Sequence, residues 1–371
     1  MRIGFLVSGN KYTGAAAAAE HMTRAVLAAG GEAELAYTGG NNLERRLKDE
    51  PWASPALVKE RRPGDLLANV RTVRGLSERC DVVVSHLPHD HALAVLARVH
   101  RRAFLVRNVR SERHLRSDPY HRWLFGHARA ALLATGALAR HIGRSWRIPP
   151  PWIAPPVPLE DRFRPGADGA AWRSRLGIPA DAFVAGMVGK VAPGRGFDLL
   201  LEAAALVQPA PHVLLVGHGE AEGELRALAD RLGIAGRVHW AGYEERGLPG
   251  LYAAMDVVLF PAAGSDRGHR AISEAQGCGR PVVAAAIPGV EDLVEDGRTG
   301  RIVPRTPEGL AAGIQELVDA PALRERLGME AAAAVGVRRF RPVGETILRF
   351  LQEAAERHPR AGRSRKHRTG A

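Results

Sequence analysis

Two carboxylates eight positions apart, Asp266 and Glu274, stand in a stretch whose pattern assigns them a place. Before them runs the apolar segment Asp256-Val-Val-Leu-Phe-Pro261, which reads as a buried strand. After them come the small-residue turn Gly277-Cys-Gly279 and a second apolar run over 281–285. Strand, loop, helix and strand in that order put both acids at the carboxyl edge of a parallel sheet, where open α/β folds bind ligands. One acid in the loop beside Gly268 and one inside the helix suit a ligand with hydroxyls near a phosphate. The helix amino terminus, with free N–H groups and a favourable dipole, would take the phosphate itself. This pattern looks like nucleotide-sugar chemistry.

The elements that must position these groups follow from the rest of the chain. At 371 residues, with 46% hydrophobic and 25% charged residues, it is a globular protein long enough for two cores. The opening apolar run over 3–8 is short and ends in a glycine-rich turn, so it reads as a strand rather than a leader. No window approaches the roughly 18 apolar residues of a membrane span. Cys80 and Cys278 are far apart and lack the paired spacing of a zinc site or a disulfide framework, which implies structural thiols in a reducing cytoplasm.

In the first half, strands are expected over 3–8, 33–37, 81–85 and 103–107, separated by helices over 15–29 and 90–100, with a last pair near 131–134 and 138–143. Residues 41–67, with three prolines and mixed charge, read as irregular or short helical. The proline-rich stretch 149–158 marks an extended connector. The pattern then restarts with strands over 183–188 and 212–216 and helices over 197–207 and 221–232. Phe197, Leu200, Leu201, Ala204 and Val207 form a one-sided helical stripe. The expected division is a first Rossmann-like domain over 1–158, a second over 159–340, a terminal helix over 341–357 that returns to the first domain, and a basic disordered tail over 358–371.

The second half closely resembles the retaining glycosyltransferases of family 4, with their two-domain GT-B fold. The resemblance runs from about 183 to 303 and rests on motifs in order. They are Gly189-Lys-Val-Ala-Pro-Gly-Arg-Gly196-Phe-Asp, Gly217-His-Gly-Glu220, Val238-His-Trp-Ala-Gly242, Asp266 through Glu274, Gly279-Arg-Pro-Val-Val283 and Glu295-Asp-Gly-Arg-Thr-Gly300. The implied fold is α/β, with two parallel-sheet domains facing a cleft.

By this resemblance Lys190 and Arg195 neutralise the donor diphosphate, Glu274 binds the ribose hydroxyls, and Asp266 contacts the transferred sugar near the reacting carbon. Arg270 would add a contact to phosphate or to an acidic sugar, Gly217 lies beside the nucleobase, Gly14 allows close backbone approach, and Gly268 counts among the donor-binding residues. Asp266, Arg195 and Lys190 form the expected catalytic set. Retention is usually explained by front-face attack assisted by the leaving phosphate, which needs charge stabilisation more than a dedicated base. Two departures stand out. Asp266 replaces the family's glutamate, and where many members place a histidine after the strand over 103–107 this chain has Arg110, with His114 farther on.

No Asp-x-Asp motif is present, and neither a metal nor any other cofactor is expected, since Lys190, Arg195 and the helix terminus serve the diphosphate. The partners implied are a nucleoside-diphosphate sugar and a saccharide or lipid-linked acceptor of the cell envelope, such as lipopolysaccharide. The net charge of +12 is uneven: twelve arginines against two acids lie between Arg98 and Arg147, and six more cations lie between Arg357 and Arg368. Arg110, Arg113, Arg116 and Arg122 interleave with Tyr120 and Trp123, which suits an anionic membrane surface. The expected location is therefore cytoplasmic, peripheral on the membrane; nucleic acid lacks a fold signature here. Two other readings stay open: a glycosyltransferase-like binding protein without turnover, and a related two-domain enzyme such as a nucleotide-sugar epimerase or a phosphorylase.

Overall fold

A computed structural model describes residues 1–9, 14–110, 118–134, 138, 151–156, 158–262 and 268–357, with backbone alone at 268 and 269. The chain forms two compact units. One takes in Met1–Ala134, Leu138–Pro155 and the helix from Arg341 onward; the other is Pro156–Phe340.

The first unit is built on β1 (Arg2–Val7), β2 (Glu32–Thr38), β3 (Ala53–Leu57), β4 (Val82–Ser85), β5 (Phe104–Val109), β6 (Ala130–Leu133) and β7 (Trp152–Ile153). They lie in the order β3-β2-β1-β4-β5-β6-β7, all parallel, with Ile3 opposite both Ala33 and Val82. Helices α1 (Gly14–Ala28), α2 (Asn42–Leu47), α3 (Pro63–Arg79), α4 (Pro88–Leu96) and α5 (Pro119–Phe125) connect them. The second unit has β8 (Val184–Val188), β9 (His212–Val216), β10 (Val238–Gly242), β11 (Val257–Phe260), β12 (Val282–Ala285) and β13 (Gly300–Val303), in the parallel order β10-β9-β8-β11-β12-β13. Its helices are α6 (Gly169–Arg175), α7 (Phe197–Leu206), α8 (Glu222–Arg231), α9 (Leu248–Ala254), α10 (Gly268–Gly277), α11 (Pro307–Asp319) and α12 (Pro321–Ala334). A final helix, α13 (Phe340–Arg357), belongs to the first unit.

The strands are near-continuous apolar runs because helices cover both sheet faces. Along β9, Val213 and Leu215 pack into one core layer while Leu214 and Val216 pack into the other; along β11, Val257 and Leu259 alternate with Val258 and Phe260 in the same way. The stripe on α7 seals the first of these layers, with Phe197, Leu200, Leu201 and Ala204 all buried. The thiols of Cys80 and Cys278 are free and buried, and burial pushes both up to about 12, so neither is a nucleophile at neutral pH.

Three expectations need correction. Residues 41–67, read as irregular or short helical, do hold the short α2 and the start of α3, but also a strand, β3, that the reading did not include. Pro55 is tolerated because β3 pairs only with β2, at the sheet edge. The proline-rich stretch is not purely a connector, since Trp152 and Ile153 pair with β6 as the opposite edge strand. The terminal helix begins at Phe340, ahead of Pro342, whose ring fits a first helical turn. Its Gly344 lies against α1, where a Cβ would fall 1.9 Å from the Ala25 carbonyl oxygen. Residues 358–371, expected to be disordered, lie outside the described residues.

Candidate active site

The strand order of the second sheet reverses between β8 and β11, the point at which open sheets form a ligand crevice beyond their carboxyl ends. The loops after β8 and β9 run side by side there. The Gly189 amide donates to Val216 O at 2.9 Å, and the Val191 amide donates to His218 O at 3.0 Å. A Cβ on Gly217 would lie 1.8 Å from the Gly189 carbonyl oxygen, and one on Gly219 would lie 1.9 Å from that of Val191. Gly196, at φ +84°, begins α7 and would place a Cβ 2.6 Å from the Pro261 ring at the end of β11. Gly196 offers no side-chain cap, so the first N–H groups of α7 lack a capping side chain from their own N-cap residue at this edge.

Cations flank these loops. Lys190 Nζ lies 2.9 Å from Glu220 Oε2, and both side chains are more than half exposed. Arg195 is half-buried and has no side-chain partner among the described residues. Arg305, just past β13, donates to Pro261 O at 3.2 Å and adds a third cation to the same edge. Sequence reading missed it; its place two residues beyond an apolar strand was the available signal.

From Ala262 the chain leads toward α10 through residues outside the described set, Asp266 among them. Helix α10 opens at Gly268, of which only the backbone is described. Arg270 and Glu274 share one face of it, and a network fixes both. Arg270 Nε lies 2.7 Å from Glu274 Oε1, and Arg270 Nη2 lies 2.5 Å from Glu160 Oε1. Tyr252, on α9, donates to Glu274 Oε2 at 3.0 Å. Glu274 is 6% exposed. Burial raises its carboxyl above the usual range, and the Arg270 guanidinium and the Tyr252 hydroxyl oppose that rise. Burial acts the same way on Glu160, but Arg270 and Arg162 outweigh it and hold that carboxyl low. Arg270 is thus engaged by two carboxylates rather than standing open for a phosphate. Glu160 and Tyr252 were not foreseen, since they lie 110 and 18 residues from Arg270 and carry no local pattern.

The first unit has its own polar carboxyl edge. Asp90, fully buried, accepts from the Ser8 amide at 2.7 Å, the Leu87 amide at 2.6 Å and the Ser8 hydroxyl. On the adjoining strands His86, Arg107 and Asn108 are completely buried. Asn108 Nδ2 donates to His86 Nδ1 at 3.0 Å, which places the ring proton on Nε2; that atom and Asn108 Oδ1 have no hydrogen-bond partner among the described residues. Burial, with Arg107 and Arg110 nearby, holds His86 well below the usual histidine range, so the ring is neutral. His91 donates from Nε2 to Leu124 O at 3.0 Å and accepts from Ser85 Oγ at 2.9 Å.

Arg110 follows β5 at this edge but is only 9% exposed, and Arg107 is 0% exposed. These two arginines face inward, so they drop out of the basic surface inferred from sequence. Arg122, Tyr120 and Trp123 remain exposed on α5. His114, Arg113 and Arg116 lie outside the described residues. Gly14 is the first residue of α1, after residues outside the described set. Among the described residues no three histidine, cysteine or carboxylate side chains converge as a metal site, and no helix is long and apolar enough to cross a membrane.

Comparison with known proteins agrees with this layout. Residues 182–320 match the family model described as glycosyl transferases, group 1. A D-inositol 3-phosphate glycosyltransferase of Streptomyces avermitilis is 39% identical over 188 residues, which is 46% of this chain and 40% of that protein. The chain spans only about half the length of such relatives, reaching 51% of one from Mycobacterium sp. (strain KMS). Among solved structures, Anabaena HepE in complex with UDP aligns with a TM-score of 0.78 at 22% identity, over 95% of this chain and 100% of that one. The lipopolysaccharide outer core galactosyltransferase WaaB in apo form aligns at 0.72 and 12% identity, over 95% and 99%. The two parallel-sheet units are those of a GT-B fold.

Proposed function

We propose that this chain, in which residues 182–320 are a group 1 glycosyl transferase domain on a GT-B fold, transfers a sugar from a nucleoside-diphosphate donor to an acceptor hydroxyl with retention. The observation that carries this reading is the carboxyl edge of the second sheet. There two glycine loops in backbone contact leave the uncapped start of α7 open between Lys190, Arg195 and Arg305.

That edge suits a diphosphate: the amides of α7 face its oxygens, and Lys190 and Arg195 bring charge that counts most as the bond to the leaving oxygen breaks. Glu274 takes the ribose hydroxyls and Asp266 the transferred sugar. The bond between the anomeric carbon and the phosphate oxygen breaks while the acceptor oxygen attacks from the same face. The acceptor proton passes to the departing phosphate oxygen, so no side chain has to act as base. Lys190 must leave Glu220 to serve in this way, and their mutual exposure makes that change cheap.

HepE was solved with UDP, which makes UDP the first donor base to test. The acceptor in this reading is a cell-envelope saccharide or glycolipid. Exposed Tyr120 and Trp123 beside Arg122 on α5 would seat the first unit on an anionic membrane from the cytoplasmic side. No metal or cofactor takes part.

The test is a thermal-shift titration of the protein and its Glu274→Ala variant with UDP, GDP and ADP, followed by product analysis with the matching donor sugar. A shift with one nucleotide in the wild type, lost in the variant, is expected, together with a product of unchanged anomeric configuration. Donor binding without transfer to any acceptor would favour a binding protein, and no shift with any nucleotide would overturn the assignment.

A further inference from the structure

The Gly279-Arg-Pro-Val-Val283 motif places Arg280 at the amino end of β12, a strand's length of about 13 Å from the edge just described. The donor reading has no use for it there. Around it gather Arg173, Arg324 and Asp256. Arg173 Nη2 lies 2.8 Å from Asp256 Oδ2, which also accepts the Val184 amide at 2.8 Å; Arg324 Nε lies 3.9 Å from Oδ1. Arg173 is fully committed, since its other nitrogens donate to the carbonyls of Ala254, Ala180 and Ala182 at 2.9 Å each. Arg324 lies over Phe183 and donates to Leu317 O at 3.0 Å.

Arg280 is different. Its Nε is buried with no hydrogen-bond partner among the described residues, and burial lowers its pKa, opposed by Asp256 and furthered by Arg173 and Arg324. Its side chain lines two clefts. One, of about 390 Å³, also meets Asp256, Arg324, Cys278 and Glu325; the other, of about 510 Å³, meets Arg173, Ser174 and Ile178. In the smaller cleft Arg280 and Arg324 meet Asp256 and Glu325, whereas in the larger one Arg280 and Arg173 meet no lining carboxylate. A guanidinium largely out of water with a nitrogen left unpaired is costly, and a planar donor fork matches phosphate oxygens.

We propose that Arg280, supported by Arg324, forms a second ligand site for a small phosphate-bearing anion at the amino edge of the second sheet, separate from the donor edge. The clefts fall within the size of metabolite sites, so a phosphate ester fits as well as the free ion.

The experiment is thermal unfolding of the full chain against inorganic phosphate at constant ionic strength, repeated with saturating UDP and with Arg280→Gln and Arg324→Gln. A second arm replaces inorganic phosphate with glycerol phosphate and reads which source binds more tightly. The wild type should be stabilised in proportion to the logarithm of phosphate concentration, with UDP present or absent. Arg280→Gln should weaken the response about tenfold, the worth of one charge-assisted hydrogen bond. Arg324→Gln gives a second reading should the first variant fold poorly. Equal responses in wild type and both variants, a response abolished by UDP, or no response in the wild type would each overturn the proposal. Because phosphate is scored with and without UDP, failure of this site is distinguishable from failure of the donor assignment.

Discussion

The Tyr252 hydroxyl donates to Oε2 of Glu274 at 3.0 Å, and both side chains are buried. The contact ties α9 to α10 and leaves the other carboxylate oxygen to Arg270, which Glu160 shares. Glu274 is therefore aimed by groups from three separate parts of the second unit. Its ionised form depends on Arg270, since burial alone pushes the carboxyl up.

Tyr252→Phe keeps the ring and removes only that donor. The variant is expected to lose about 1–3 kcal/mol of stability, because a buried carboxylate oxygen is left unsatisfied, and to bind nucleotide more weakly. Denaturant unfolding and nucleotide titration check both effects; unchanged stability would show that the hydroxyl is not paired.

Lys190→Gln should leave stability within about 0.5 kcal/mol, since an exposed pair with Glu220 contributes little. Nucleotide affinity should still fall about tenfold if the ammonium meets the diphosphate. Calorimetric titration separates the two, and unchanged affinity would reduce Lys190 to a surface ion pair.

Gly217→Ala forces a Cβ to 1.8 Å from the Gly189 carbonyl oxygen at φ +141°, and the expected cost exceeds about 3 kcal/mol or prevents folding. Gly189→Ala meets nothing within 4 Å and should cost about 1 kcal/mol or less. Comparing the two unfolding midpoints tests whether the loops touch as described.

Burial, with Arg107 beside it, depresses His91 to about 3, against 6.5 for the free side chain. The folded state therefore binds fewer protons than the unfolded chain between those values. The resulting stability is present above pH 6.5 and lost as pH falls toward 3. Between pH 7 and pH 5 the first unit should lose about 2 kcal/mol from this group, with His86 acting in the same sense. A urea-denaturation series across that range checks the slope, which His91→Gln should flatten in part.

The alternation of strands and helices was legible in sequence because Val82 to Val84, Leu214 to Val216 and Val257 to Phe260 are unbroken apolar runs between helical patterns. The glycine loops were legible as well, since their spacing reflects backbone contact that any side chain would block. Strand β3 was hidden: it is an edge strand, and its Pro55 and exposed residues mimic a loop. Arg107 was read as surface charge because nothing local distinguishes a cation on a strand's buried face from one in water. The engagement of Arg270 with Glu160 was out of reach for the same reason, since tertiary packing alone makes them neighbours.

Helix α13 lies against Ala25 of α1 at the opposite end of the chain. During synthesis on the ribosome, the first unit to emerge would lack this packing partner until the whole second unit had been made. The Ala25 side of α1 stays uncovered through that interval, so α1 reaches its final packing only after the second unit has been made.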